Sequence, residues 1–193
     1  MKSKLHLFIW PLFILMALAQ WAVPVQMIMK KDLVLREGIR YKFLVQPIDP
    51  NDPFRGKFIV LNFRDNYLKV PAKKDTRNNN DKVFITFQPD KNGYAKIREI
   101  SSTKPGRDDY LESEIWYMSQ EKDSTSIFIE YPFNKFYMEE YKAPEAERVF
   151  IERLPDSSQK AYALVSILKG DAVINDVFIN DSSIQQVLRS RKY

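Results

Sequence analysis

Between Leu5 and Met29 the chain carries no Asp, Glu, Lys or Arg, and the stretch is bracketed by Lys2 and Lys4 before it and Lys30 and Lys31 after it. As a helix, a run of roughly 25 residues reaches about 37 Å, enough to cross a hydrocarbon core of about 30 Å with some tilt. Residues 1–29 therefore read as an N-terminal membrane anchor. Trp10 and Trp21 suit interfacial positions, although Trp10 lies deep if the span starts at Leu5. Pro11 and Pro24 are tolerated more readily in lipid than in a soluble helix. A cleaved signal peptide is the competing reading, because Ala17-Leu18-Ala19 has the small-x-small pattern ahead of Gln20. Apolarity continues past it through Trp21, Val23, Val25 and Met29, and this favours a retained anchor.

Orientation draws on two opposed signals. A plain count of Lys30, Lys31, Arg36, Arg40 and Lys42 against Lys2 and Lys4 favours the C-terminal flank as cytoplasmic. Long domains cross largely regardless of charge, and a short basic start before an apolar core has the form of a signal-anchor. The expectation is a single-pass protein of the inner (cytoplasmic) membrane with its C-terminal domain on the extracytoplasmic side.

Several chemistries are excluded by what is missing. The chain has no Cys, and its one His, His6, lies in the apolar run. Thiolate nucleophiles, disulfides, Cys-ligated zinc, histidine triads and imidazole bases are ruled out together. Only 5 Gly are present, and none forms a phosphate-binding GxGxxG or GxxxxGK loop. The net charge of +5 comes from 30 Lys+Arg and 25 Asp+Glu without a dense basic cluster, too weak a footprint for nucleic acid. Neither a metal nor a cofactor is expected.

Residues 30–193 read as a single β-rich domain, because period-2 patterns dominate. Ile39, Tyr41, Phe43 and Val45 alternate after Gly38. Lys57–Phe63 sets Ile59, Leu61 and Phe63 on one face and Phe58 and Val60 on the other, both covered. Lys82–Gln88 places Val83, Ile85 and Phe87 together, and Gly93–Ile100 places Ala95, Ile97 and Glu99 together. Glu114–Met118 and Ser126–Tyr131 are further strands, and Ala161–Leu168 and Ala172–Ile179 form a hairpin through Lys169-Gly170-Asp171. One short helix is expected from Pro144, with Ala146, Val149, Phe150 and Leu154 at helical spacing and Pro155 as its stop. Loops fall at Asp49–Arg55, Lys73–Asp81 and Lys104–Asp109, with Arg77–Asp81 as a mobile tip. The fold class is mainly β (α+β): a transmembrane helix, then a mixed or antiparallel β domain with one short helix.

The segment Pro47-Ile48-Asp49-Pro50-Asn51-Asp52-Pro53-Phe54-Arg55-Gly56 followed by Lys57–Phe63 resembles the bacterial GDYXXLXY family. The likeness extends to Tyr131-Pro132-Phe133-Asn134 through Glu140, to Ala143–Glu147, and to the hairpin around Gly170, Ile174 and Val177. Gly56 and Leu61 match the name motif, whereas Lys57 stands in place of its Asp, and Phe58 and Phe63 in place of its tyrosines. Any chemistry resting on that carboxylate or those phenols should be lost here, so the motif reads as a Gly turn entering an apolar strand. The resemblance implies a membrane-anchored protein with no settled activity. Relatives often accompany a multi-pass membrane protein, so it also implies a partner of that kind.

Two clusters remain as candidate sites. Asp49, Asp52, Arg55 and Gly56 form a Pro-punctuated loop in which turn chemistry and an Arg–carboxylate pair account for the residues; two carboxylates do not fill a calcium shell. Tyr137, Glu139, Glu140, Glu145 and Glu147 form an acidic–aromatic patch, which could serve glycoside hydrolysis or carbohydrate binding, or could be a solvated helix start. A Ser/Lys dyad lacks a plausible pair, since Ser101, Ser102 and Ser113 have no identifiable base. The function expected is a non-enzymatic accessory or interaction protein at the membrane. The alternative is a carboxylate-based hydrolase or carbohydrate-binding domain.

Overall fold

The apolar run forms a helix that does not stop where the charges begin. The computed structural model describes residues 5–46, 58–71, 77–137 and 160–190, and its first element, α1, runs from Leu5 to Glu37 with Pro11 and Pro24 inside it. Nothing in Lys30–Glu37 breaks a helix, and Arg36 pairs with Asp32 at i,i+4 (2.8 Å). Gly38 ends it. Its N–H makes the last helical bond to the Val34 carbonyl (2.9 Å), and a Cβ there would lie 2.4 Å from that carbonyl oxygen.

Among the described residues eleven strands follow: β1 (Ile39–Leu44), β2 (Phe58–Val60), β3 (Tyr67–Pro71), β4 (Lys82–Pro89), β5 (Ala95–Ser101), β6 (Tyr110–Gln120), β7 (Ser124–Ile129), β8 (Lys135–Tyr137), β9 (Ala161–Leu168), β10 (Asp171–Ile179) and β11 (Ser182–Ser183). The closing helix α2 spans Ile184–Ser190. The strands pair antiparallel into sheets of order β1-β9-β10-β11 and β3-β7-β6-β4-β5, with β2-β8 as a small third. One core joins them. Phe43, Val165, Ile167, Val177 and Ile179 from the first sheet cluster with Ile85, Phe87, Ile115, Ile127 and Ile129 from the second. Phe43 stands at its centre, with ring centroids 5.1–5.8 Å from those of Phe63, Phe87, Tyr131 and Phe133.

The mainly β fold with its N-terminal helix is as the patterns predict, and so is the hairpin. Lys169 and Gly170 both have positive φ (49° and 95°), the two-residue turn whose twist matches its strands. Differences arise where a bulge shifts the alternation. Thr86 pairs with Glu99 but Phe87 with Ile97, so Arg98 is the extra residue and Ile100, rather than Glu99, turns inward. A second bulge leaves Trp116 between the pairs Ile115↔Ile129 and Tyr117↔Phe128. Arg77–Asp81, expected as a mobile tip, is tied down. The Asn80 N–H donates to the Ile115 carbonyl (2.7 Å) and the Ile115 N–H to the Asp81 carbonyl (3.0 Å).

The strand expected over Lys57–Phe63 is described from Phe58 and ends at Val60; Leu61 and Phe63 follow it, buried outside regular strand apart from one bridge to Val45. β3, β8 and α2 are too short, or too weakly patterned, to be legible beforehand. In α2, Ile184, Val187 and Leu188 repeat at helical spacing and are buried, and Ser183 Oγ accepts the Gln185 N–H at its start (3.2 Å). Asn180 and Asp181, part of an N-x-S triplet in the sequence, are the positive-φ turn (49° and 60°) between β10 and β11. The helix expected from Pro144 lies outside the described residues.

Candidate functional site

The hairpin tip of β9 and β10 is where helix and both sheets meet. Lys169 N–H donates to the Asp108 carbonyl (2.6 Å), Gly170 N–H to Tyr110 (2.9 Å), and Glu112 N–H back to Gly170 (3.0 Å). From the other side, Lys30 Nζ lies 2.6 Å from Asp171 Oδ2, and Lys31 Nζ donates to the Ala172 carbonyl (3.3 Å). Val34, one turn on, is 2% exposed. Exposed ion pairs alone contribute about 0–1 kcal/mol; the buried Val34 and the Gly38 close approach are what seat the helix on β9 and β10. The domain is thus held directly on the end of its apolar helix, with no linker between them.

Beside this junction lies a cleft of about 660 Å³. Lys30, Lys31, Lys82 and Lys169 line it together with Glu112, Glu114, Glu130, Asp171 and Trp116. The lining is charge-balanced, with four lysines and four carboxylates. Trp116 is 63% exposed because the bulge turns it outward. Among the described residues, no ion pair involves Lys82, Glu114 or Glu130. A second cleft of about 400 Å³ shares Trp116, Glu130, Tyr131 and Asn134 with the first and is floored by Leu61, Asn62 and Phe63. The two clefts are therefore neighbours, one beside the helix exit and the other beside the motif segment.

The expected site residues fall in different places. Leu61 and Phe63 are buried, at 1% and 7% exposure, and Phe63 belongs to the aromatic cluster around Phe43. A phenol hydroxyl at 63 would need a partner inside that cluster. Phe58 is half-buried against Tyr137, ring centroids 5.6 Å apart, with the Lys135 ammonium 5.1 Å from the Phe58 ring centre. Tyr137 itself is 68% exposed. Asp49, Asp52, Arg55 and Gly56, and Glu139, Glu140, Glu145 and Glu147, lie outside the described residues, so neither the loop site nor the carboxylate patch has a geometry here. Among the described residues, no group of three or more Asp, Glu or His side chains is placed to hold a metal.

One polar cluster was not anticipated. Asp109, 3% exposed, accepts a hydrogen bond from the Tyr41 hydroxyl (2.7 Å) and a two-pronged one from the Arg107 guanidinium. Burial would raise the Asp109 carboxyl, but the bonds from Arg107 and Tyr41 outweigh it and hold the group below the usual carboxylate range. Burial, then the bond to Asp109, pushes the Tyr41 phenol up to about 12. The only sequence signal was Tyr41 itself, a phenol on the inward face of β1. The cluster fastens the 104–109 loop to β1 and presents no nucleophile to solvent.

The family model described as "GDYXXLXY protein" matches residues 20–177. No curated protein and no solved structure matches the chain.

Proposed function

The chain belongs to the GDYXXLXY family, and from that premise we propose that it is a single-pass, membrane-anchored accessory protein that works by docking on a multi-pass membrane protein and performs no catalysis. The observation that carries this reading is α1. It holds a segment long and apolar enough to cross a membrane, none of whose most apolar window is buried against the protein. Trp10, Trp21 and Ile28 are 68%, 73% and 69% exposed. An apolar surface of that length needs lipid or other membrane helices around it. The same helix is fixed to the β domain through Lys30, Lys31, Val34 and Gly38. A partner that grips the helix therefore also sets the position of the domain. Gln20 and Gln26 supply polar groups within the span for contact with neighbouring helices.

In this reading the domain stands on the extracytoplasmic side of the inner membrane. The absence of cysteine permits a clean test of sidedness. A single Ser102→Cys variant, at an exposed loop position, should react with a membrane-impermeant maleimide in intact spheroplasts; labelling only after lysis would reverse the orientation. Docking is tested by purification from native membranes in mild detergent. A stoichiometric multi-pass membrane protein is expected, and repeated recovery of the chain alone would refute the docking.

A further inference from the structure

The cleft at the helix exit has a position as well as a chemistry. Lys30 and Lys31 line it, and they follow Met29, the last residue of the uncharged run, by one and two positions. That is a rise of about 3 Å along the helix, and the polar headgroup layer extends about 5–7 Å beyond the hydrocarbon on each side. The Lys30–Lys31 edge of the cleft is thus level with lipid headgroups whenever α1 spans the bilayer.

Its walls carry both signs. Lysines 30, 31, 82 and 169, glutamates 112, 114 and 130 and Asp171 together line about 660 Å³, with Lys30 paired to Asp171 (2.6 Å). A purely anionic headgroup would suit the lysines and be repelled by the three glutamates. A zwitterion with a phosphate and a primary ammonium suits both. The phosphate accepts hydrogen bonds from the lysine ammoniums. The ammonium meets Glu114, Glu130 and the exposed Trp116 ring, the residue types that hold organic cations. We propose that this cleft is a binding site for the headgroup of a zwitterionic phospholipid of the phosphatidylethanolamine class. The proposal rests on the anchored reading of α1, and its test separates the two.

The full chain is reconstituted in nanodiscs of equal phosphatidylethanolamine, phosphatidylglycerol and phosphatidylcholine, and released lipids are counted by native mass spectrometry. One phosphatidylethanolamine per chain is expected, enriched at least fivefold over either competitor. The exposed double variant Glu114→Gln/Glu130→Gln should lose that enrichment while melting at the wild-type temperature. Equal retention of the three lipids, or an unchanged preference in the variant, overturns the site. Carbonate extraction of the same wild-type preparation reports the anchor separately. A chain that resists extraction but shows no preference overturns the lipid site alone, whereas an extractable chain overturns the anchor and the site with it. Soluble phosphoethanolamine, added as a competitor, should displace the bound lipid at least tenfold less well than dihexanoyl-phosphatidylethanolamine. Equal displacement would make the free headgroup the ligand and overturn the lipid assignment.

Discussion

Replacing Gly170 by alanine should lower the melting temperature of the full chain in detergent by about 4–8 °C. Gly170 has φ of +95°, a conformation that costs an L-residue about 1–2 kcal/mol. The new Cβ would stand 3.3 Å from Tyr110 Cε2 and 3.3 Å from Glu112 Cβ, tighter than ordinary contact. The Tyr110 ring cannot swing clear, because the residue is 3% exposed. Strain from such overpacking adds about 1 kcal/mol or more. The narrower unfolded ensemble of alanine returns about 0.4–1 kcal/mol, leaving a net loss of about 2 kcal/mol. For a chain of this size each kcal/mol shifts the melting temperature by about 2–4 °C. Two other glycines divide the effect into its parts. Gly93 has φ of +80° with nothing within 4 Å of its Cβ position, so Gly93→Ala should lose only the backbone component, about 1 kcal/mol. Gly106 has open space and an ordinary φ, and Gly106→Ala should be neutral or slightly stabilising. Near-UV circular dichroism, which follows the aromatic core rather than α1, is the suitable probe. A Gly170→Ala protein melting within 1 °C of wild type, or below-wild-type melting largest at Gly106, would refute the reasoning.

Three further outcomes can be checked by unfolding. Phe43→Ala empties the centre of the aromatic cluster and should cost about 3–5 kcal/mol in denaturant titration, against less than about 1 kcal/mol for the exposed Tyr137→Ala. Thr86 is 5% exposed and its Oγ1 is buried without a hydrogen-bond partner among the described residues; Thr86→Val should therefore be neutral or stabilise by up to about 1 kcal/mol, and a clear loss would show that the hydroxyl has a partner. The pH dependence has two limbs. The folded carboxyl of Asp109 lies below its unfolded value, so its contribution is complete above about pH 4 and is lost as pH falls through the lower folded value. Tyr41 and Tyr162 are each raised to about 12, so their contribution is complete below about pH 10 and fades between pH 10 and 12. Tyr41→Phe should make the alkaline limb shallower, with Tyr162 keeping its own share, and an alkaline midpoint indifferent to that change would dispose of the assignment.

Much was legible from residue order alone, because periodicity, turn residues and charge are local properties. The apolar run of α1, the β-rich body, the inward faces of β1 and β4, and the hairpin turned by Lys169 and Gly170 follow from side-chain alternation and from backbone angles that few residues adopt. The family was readable too, from the segments Pro47 to Phe63 and around Tyr131, and its model matches residues 20–177. Long-range contact decided the rest. The bulges at Arg98 and Trp116 depend on what each strand pairs with, so whether Glu99 or Ile100 faced the core, and whether Trp116 faced solvent, was not written in either strand. Tyr41 and Asp109 meet across 68 positions, and Lys31 and Ala172 across 141. The cleft at the helix exit exists only because the turn at Gly170 meets the start of β6 on one side and the end of α1 on the other. No local pattern encodes that meeting, since each segment's own sequence is satisfied equally well without it.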